Sequence, residues 1–201
     1  MLVQTVPPAI EPITLAAAKL HLRVDISDDD SLITALIAAA RQFAESLTGR
    51  SFVTQTWQLT LDYFPICIAL ERGVVQKINS ITYRDMSGTI QSVAFDMPSS
   101  GIQRSTDGNI VADLTALPAR IAPAFGRIWP IPMPEIGAVT VNYTAGYGDD
   151  TAVPEGIKRW MLLRIGSLYA FREEIVAERS IKVDPMPFFD LLLDPYRVAT
   201  A

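Results

Sequence analysis

Asp28-Asp-Asp-Ser-Leu-Ile-Thr-Ala-Leu-Ile-Ala-Ala-Ala-Arg-Gln-Phe-Ala-Glu-Ser-Leu-Thr48 and, after Gly49-Arg-Ser-Phe52, Val53-Thr-Gln-Thr-Trp-Gln-Leu-Thr-Leu-Asp-Tyr63 decide the fold class. In the first stretch Leu32, Ile33, Leu36, Ile37, Ala40, Phe43, Ala44 and Leu47 recur at three- and four-residue steps, one apolar face of a helix. Asp28–Asp30 sit at the helix start, where the dipole favours negative charge, and Gly49 is a stop signal. In the second stretch Val53, Gln55, Trp57, Leu59, Leu61 and Tyr63 alternate with polar residues, the period of a strand. The period thus switches from helix to sheet at Gly49.

Upstream, residues 1–13 read as an extended arm, because Pro7, Pro8 and Pro12 disfavour helix. Thr14 reads as the N-cap of a short helix running to about Arg23. Downstream, Ile66–Leu70, Ile78–Arg84 and Thr89–Phe95 read as shorter strands, with a turn at Asp85-Met-Ser-Gly88. Residues 96–136 read as irregular apart from a short strand at Asn109–Ala112. The five prolines from Pro118 to Pro134 argue against a central strand there. Ala138–Ala145 is a strand. A helix follows, with Pro154 at its first position and Ile157, Trp160, Met161, Ile165 and Leu168 along it, ending near Arg172. Residues 174–185 read as a mobile or partner-ordered loop, and Pro187 opens a last short helix, Phe188–Leu193. Helices, then strands, then helices make an α+β chain with segregated elements. The expected organisation is one composite domain. Residues 1–50 and 146–201 form a helical body, its N- and C-terminal helices packed together, and residues 51–145 form an antiparallel β insertion.

The chain has 201 residues, 17 Lys and Arg against 22 Asp and Glu, and 49% apolar residues. That is neither the low hydrophobicity of a disordered chain nor the basic excess of a nucleic-acid binder. One cysteine excludes a disulfide scaffold. The best apolar run, Leu32–Ala40, is far too short to span a bilayer, and the N-terminus lacks a signal-peptide pattern. A chain this apolar and charge-poor is expected to bury surface against other subunits.

A search for chemistry returns structural readings. The single histidine, His21, has no partner in pattern, and no serine elbow or Cys–His pair is present. Cys67 reads as a core residue. Asp25 and Asp28–Asp30 lack calcium-loop spacing and read as helix capping. Gly146-Tyr-Gly148 lacks the third glycine of a dinucleotide loop, and Asp149 and Asp150 would repel phosphate. Glu173 and Glu174 read as a solvated helix end. No catalytic residue, cofactor or metal is expected. Trp129, within Arg127-Ile-Trp-Pro130, reads as a loop anchor, either packed on its own subunit or set in an interface.

Several segments together resemble the head–tail connector (adaptor) family of tailed bacteriophages and prophages. They are Pro12-Ile-Thr-Leu-Ala-Ala-Ala-Lys19, His21-Leu-Arg-Val-Asp25, Asp28-Asp-Asp-Ser-Leu32, Thr48-Gly-Arg50 and Gln55-Thr-Trp57. A second block has Val139-Thr-Val-Asn-Tyr143, Ala145-Gly-Tyr-Gly148, Val153-Pro-Glu155 and the closing Leu192–Arg197. Ala17 departs from the pattern, standing where many members carry Glu. The resemblance implies a structural virion protein, made in the bacterial host cytoplasm and located at the head–tail interface. It implies a ring of about a dozen copies beneath the portal, in which each copy offers two different patches to its neighbours. Such a ring extends the DNA channel and docks the next neck or tail component, a stopper or tail terminator. DNA passes without specific binding, so an acidic or neutral channel face is expected. The runner-up is a tail-completion protein that binds the tail end. The candidate portal or neighbour contact is the C-terminal segment with Phe188, Phe189, Leu192, Pro195, Tyr196 and Arg197, whose alternative is packing on its own subunit.

Overall fold

The computed structural model describes residues 1–171 and 190–198. The chain runs β1 (Leu2–Val6), α1 (Leu15–Leu22), α2 (Asp30–Thr48), β2 (Gln55–Leu61), β3 (Ile68–Leu70), β4 (Val75–Arg84) and β5 (Ile90–Ala94). It continues through β6 (Ile102–Arg104), β7 (Ile110–Asp113), β8 (Ala119–Pro123), β9 (Val139–Ala145) and α3 (Glu155–Ala170). Two 3-10 turns follow, at Asp190–Leu192 and Asp194–Tyr196. Helices and antiparallel sheets are both present, as the change of period required. Among the described residues, no helix is long and apolar enough to cross a membrane.

The elements divide into two units. One holds residues 10–48 and 148–197; the other holds 1–9, 49–147 and the chain end from Val198.

The first unit is helical. Thr14 caps α1, its hydroxyl accepting from the Ala17 amide at 3.2 Å. Arg23 ends α1 in the left-handed region (φ 59°), where its amide reaches the Leu20 carbonyl. On α2 the three- and four-residue steps bury Ile33, Ile37, Ala40 and Ala44, and α3 contributes Ile157, Trp160, Met161 and Ile165. The three helices pack on one another. Phe43 is half-exposed on the predicted apolar face of α2. It stacks on Trp160 with ring centroids 5.9 Å apart, and the Arg164 guanidinium lies 5.0 Å from its ring. Lys19 of α1 pairs with Asp30 of α2 at 2.6 Å, and Tyr169 of α3 donates to Asp29. The acidic run thus fastens the start of α2 to both other helices. Pro154 is the N-cap of α3, one position earlier than the sequence suggests. The described part of the expected last helix is 3-10. The expected loop at 174–185 lies outside the described residues, as do Glu173 and Glu174.

The second unit is built of strands. An antiparallel sheet runs in the order β1-β2-β9-β4-β5, and a four-stranded sheet in the order β3-β8-β7-β6. One core joins them: Leu59, Ile78, Ile81, Val141 and Tyr143 from the first sheet, Ile68, Leu70, Ile110 and Ile121 from the second. The arm at the N-terminus is a sheet strand, with Leu2 opposite Leu59 and Gln4 opposite Trp57. The sequence grouped this arm with the helices, yet its pairing is with β2.

The region 96–136, expected to be irregular, contains β6 and β8, and β8 is a central strand. The prolines do not prevent this because Pro118 precedes β8 and Pro123 closes it, so only Ala119–Ala122 need ladder amides. Buried Gln103 on β6 bridges the two sheets. Its amide donates to the carbonyls of Ile78 and Asp96, each at 2.9 Å, and its carbonyl accepts from the Ile78 amide. Cys67 is exposed, contrary to the core reading, because β3 begins one residue later, at buried Ile68.

Candidate assembly surface

Four carboxylates of the described residues are tied into local turns. Asp85, Asp113 and Asp149 each accept from the hydroxyl and amide of a Ser or Thr two positions on. Asp107 accepts from Ser105 and from the Asn109 amide. These bonds favour the ionised form and hold all four carboxyls below the usual carboxylate range, Asp85 down to about 2. The depressed acids are therefore turn staples, which explains them without a catalytic role. Burial pushes the Tyr143 hydroxyl up; it donates to the Glu71 carbonyl at 2.7 Å. Among the described residues, no group of three His, Cys, Asp or Glu side chains is placed to hold a metal ion.

Gly146-Tyr-Gly148 is a strand exit. The Gly146 amide donates to the Val74 carbonyl at 2.8 Å, and the Tyr147 amide to Phe52 at 2.9 Å. Gly146 has φ +132°, and a Cβ there would lie 2.5 Å from the Val53 backbone. The loop is closed by backbone contacts, with no cradle left for phosphate.

Of the predicted contact residues, Phe188 and Phe189 lie outside the described residues. Leu192, Pro195 and Arg197 are exposed. Leu193 is fully buried, and Tyr196 lies partly covered beside Gly156 of α3. Arg197 pairs with Asp194 at 3.1 Å across the last turn. The segment is thus seated by Leu193 and Tyr196 and presents Leu192, Pro195 and Arg197 outward.

Trp129 stacks on Phe64 in the β unit, centroids 4.7 Å apart and planes 9° from parallel, so it anchors its loop on its own chain. Sequence reasoning missed what this anchor holds up. Tyr63 and Ile66 on one loop, and Phe125, Ile128, Ile131 and Ile136 on the other, are exposed. Their signal was apolar residues among prolines and glycines, where exposed turns normally carry polar ones.

Residues 12–100 match the family model described as phage gp6-like head-tail connector protein. No curated protein matches. Among solved structures, the chain is similar to one from the neck of an empty GTA particle computed with C6 symmetry. The TM-score is 0.76 at 22% identity, covering 100% of this chain and 97% of that one. It is similar to a chain of the virion of a native gene transfer agent particle, with TM-score 0.74, 19% identity and the same coverages. A third, from the neck of the native GTA particle computed with C12 symmetry, has TM-score 0.68 and 19% identity, again over 100% and 97% of the two chains. These likenesses are of fold, and they extend from end to end. Over residues 12–100, a little under half of its length, the chain resembles the phage gp6-like head-tail connector protein family.

Proposed function

We propose that this protein is a structural adaptor of a phage-like virion, a ring that joins the portal vertex to the tail and extends the DNA channel. The observation that carries the reading is the full-length fold match to a chain from a particle neck, together with the connector family match over residues 12–100. The role is mechanical and needs no catalytic group. Its requirements are surfaces for like copies, for the portal and for the next neck component. A formal charge of −5 suits a conduit, since many Lys–phosphate contacts along the wall would hold DNA and slow its passage. The C-terminal segment is the portal contact in this reading, with Leu192, Pro195 and Arg197 facing the partner.

Disabling the gene in the particle-producing strain tests the role. Electron microscopy of the lysate should show DNA-filled heads and complete tails that are not joined. Intact, joined particles would remove the protein from the neck.

A further inference from the structure

We propose that the outer face of the five-stranded sheet is the wall this protein turns towards passing DNA. The inference rests on the conduit reading above and names the surface that would meet the polyanion. Side chains alternate along a strand, and the registers make this face continuous. On the inner side, Leu59, Val141 and Ile81 lie abreast in the core. On the outer side, Thr60 stands opposite Thr140, Thr140 opposite Thr82, and Thr82 opposite Ser92. The next row sets Gln58 opposite Asn142 and Asn142 opposite Ser80. Neither row carries a charge; Ser92 is exposed and the others are partly exposed. Bonds between neighbours knit the face. Asn142 donates to the Ser80 hydroxyl at 3.4 Å, and Asn79 to that of Thr144 at 3.1 Å. The charged side chains of β4 stand towards its ends, Lys77 opposite Thr144 and Arg84 paired with Glu135 at 2.7 Å.

The outer face of the four-stranded sheet has a different chemistry. Its residues alternate with buried Gln103, Ala112 and Ile121 and include exposed Arg104 and Arg120, with Asp113 opposite Arg120. Four strands abreast, β2, β9, β4 and β5, span roughly 14 Å. Duplex DNA presents one negative charge per about 1.7 Å of its axis, so a wall of that size meets several phosphates at once. Carboxylates on the wall would repel them. Ammonium and guanidinium groups would displace their counterions and hold them. Hydroxyls and amides do neither. They reach phosphate oxygens directly or through water, by bonds that are replaced as the duplex advances. Of the two outer sheet faces, the hydroxyl and amide one fits a polyanion that must pass without being held.

Two measurements on joined particles test this. In the first, azidophenylalanine stands in place of Thr82 or of Arg120, one on each outer sheet face, and particles are illuminated while DNA leaves. The Thr82 position should give a nuclease-sensitive adduct between this chain and DNA, and the Arg120 position should not. In the second, Gln58→Lys with Ser92→Lys should slow DNA release several-fold at low salt. The difference should close as salt is raised, because cation–phosphate contacts weaken with salt. Ala69→Lys with Ile102→Lys, on the other sheet, should leave the rate unchanged. A Thr82 adduct no stronger than that from Arg120 would overturn this face and leave the conduit reading standing, as would equal release rates for the two lysine pairs. A Gln58→Lys/Ser92→Lys chain that melts as wild type but no longer joins heads to tails would make the face a protein contact and overturn the proposal. Joined particles formed without the protein would sink the conduit reading and this face with it.

Discussion

Arg41 carries its charge into the helical unit with only 6% of its surface exposed. Its guanidinium donates to Glu11 at 2.7 and 3.3 Å and to Glu45 at 3.0 Å. Its pKa is raised: desolvation opposes the charge, but the bonds and charges of the two glutamates outweigh it. The triad pins Glu11, just before α1, onto α2. Arg41→Met should cost about 3–5 kcal/mol, because buried Glu45 loses its countercharge; urea unfolding measures this as a lower midpoint. Gly146 shows the same dependence of a whole segment on one residue. Only glycine readily adopts its φ of +132°, and an added methyl meets backbone, which cannot swing aside. Gly146→Ala should lower stability by about 2 kcal/mol or more, read as a fall of several degrees in Tm. A nucleotide added to either protein should leave Tm unchanged.

At the scale of elements, the β4–β5 hairpin shows how a turn gains its stability from one ionised side chain. Asp85 accepts from Ser87, Thr89 and Gln91 and is held ionised down to about pH 2. Its folded pKa lies below its unfolded value of about 4, so its contribution is present above pH 4 and fades as the pH falls towards 2. Asp85→Asn should therefore flatten the dependence of Tm on pH between 4 and 2 and leave its slope near neutrality unchanged. Wild-type and variant melts that run parallel over the acid range would contradict this. The same staple recurs at Asp113 in the β unit and at Asp149 in the helical unit, and Asp107 accepts a related pair of bonds from Ser105 and Asn109, so these turns hold their shape through local bonds.

For the whole molecule, the family match covers α1, α2 and the first strands, and the exposed apolar loops lie in the β unit. The C-terminal turns are seated by Leu193, so the exposed residues beside it are free to vary without loss of fold. Leu192→Ser with Arg197→Ala should leave the melt of the isolated chain within about 1 kcal/mol of wild type, because a surface ion pair contributes little. In particles the same pair of changes should raise the fraction of unjoined heads and tails. Full joining with the double variant would overturn the proposed portal contact.

The helices and most strands were legible in the sequence because each rests on a local pattern. Thr14 capped α1, the three- and four-residue steps of Ile33, Ile37, Ala40 and Ala44 set α2, and the alternation from Gln55 to Leu61 set β2. The segments resembling head–tail connectors were local information too. The tertiary structure decided what no window of residues contains. Leu2–Val6 became a strand only because β2 offers an edge at the right register. Ala119–Pro123 became a central strand because β3 and β7 flank it, in a region whose prolines argued against one. Ile66 and Cys67 fell outside while Ile68 went in, because pairing with β8 begins only at Ile68 and the two residues before it lie in the preceding loop. The exposed apolar loops, too, meet only in three dimensions: some sixty residues apart in sequence, they are joined by the Phe64–Trp129 stack and the bond from the Gly137 amide to Asp62. Local periodicity fixes which elements form. Pairing between distant strands decides which faces remain for a partner.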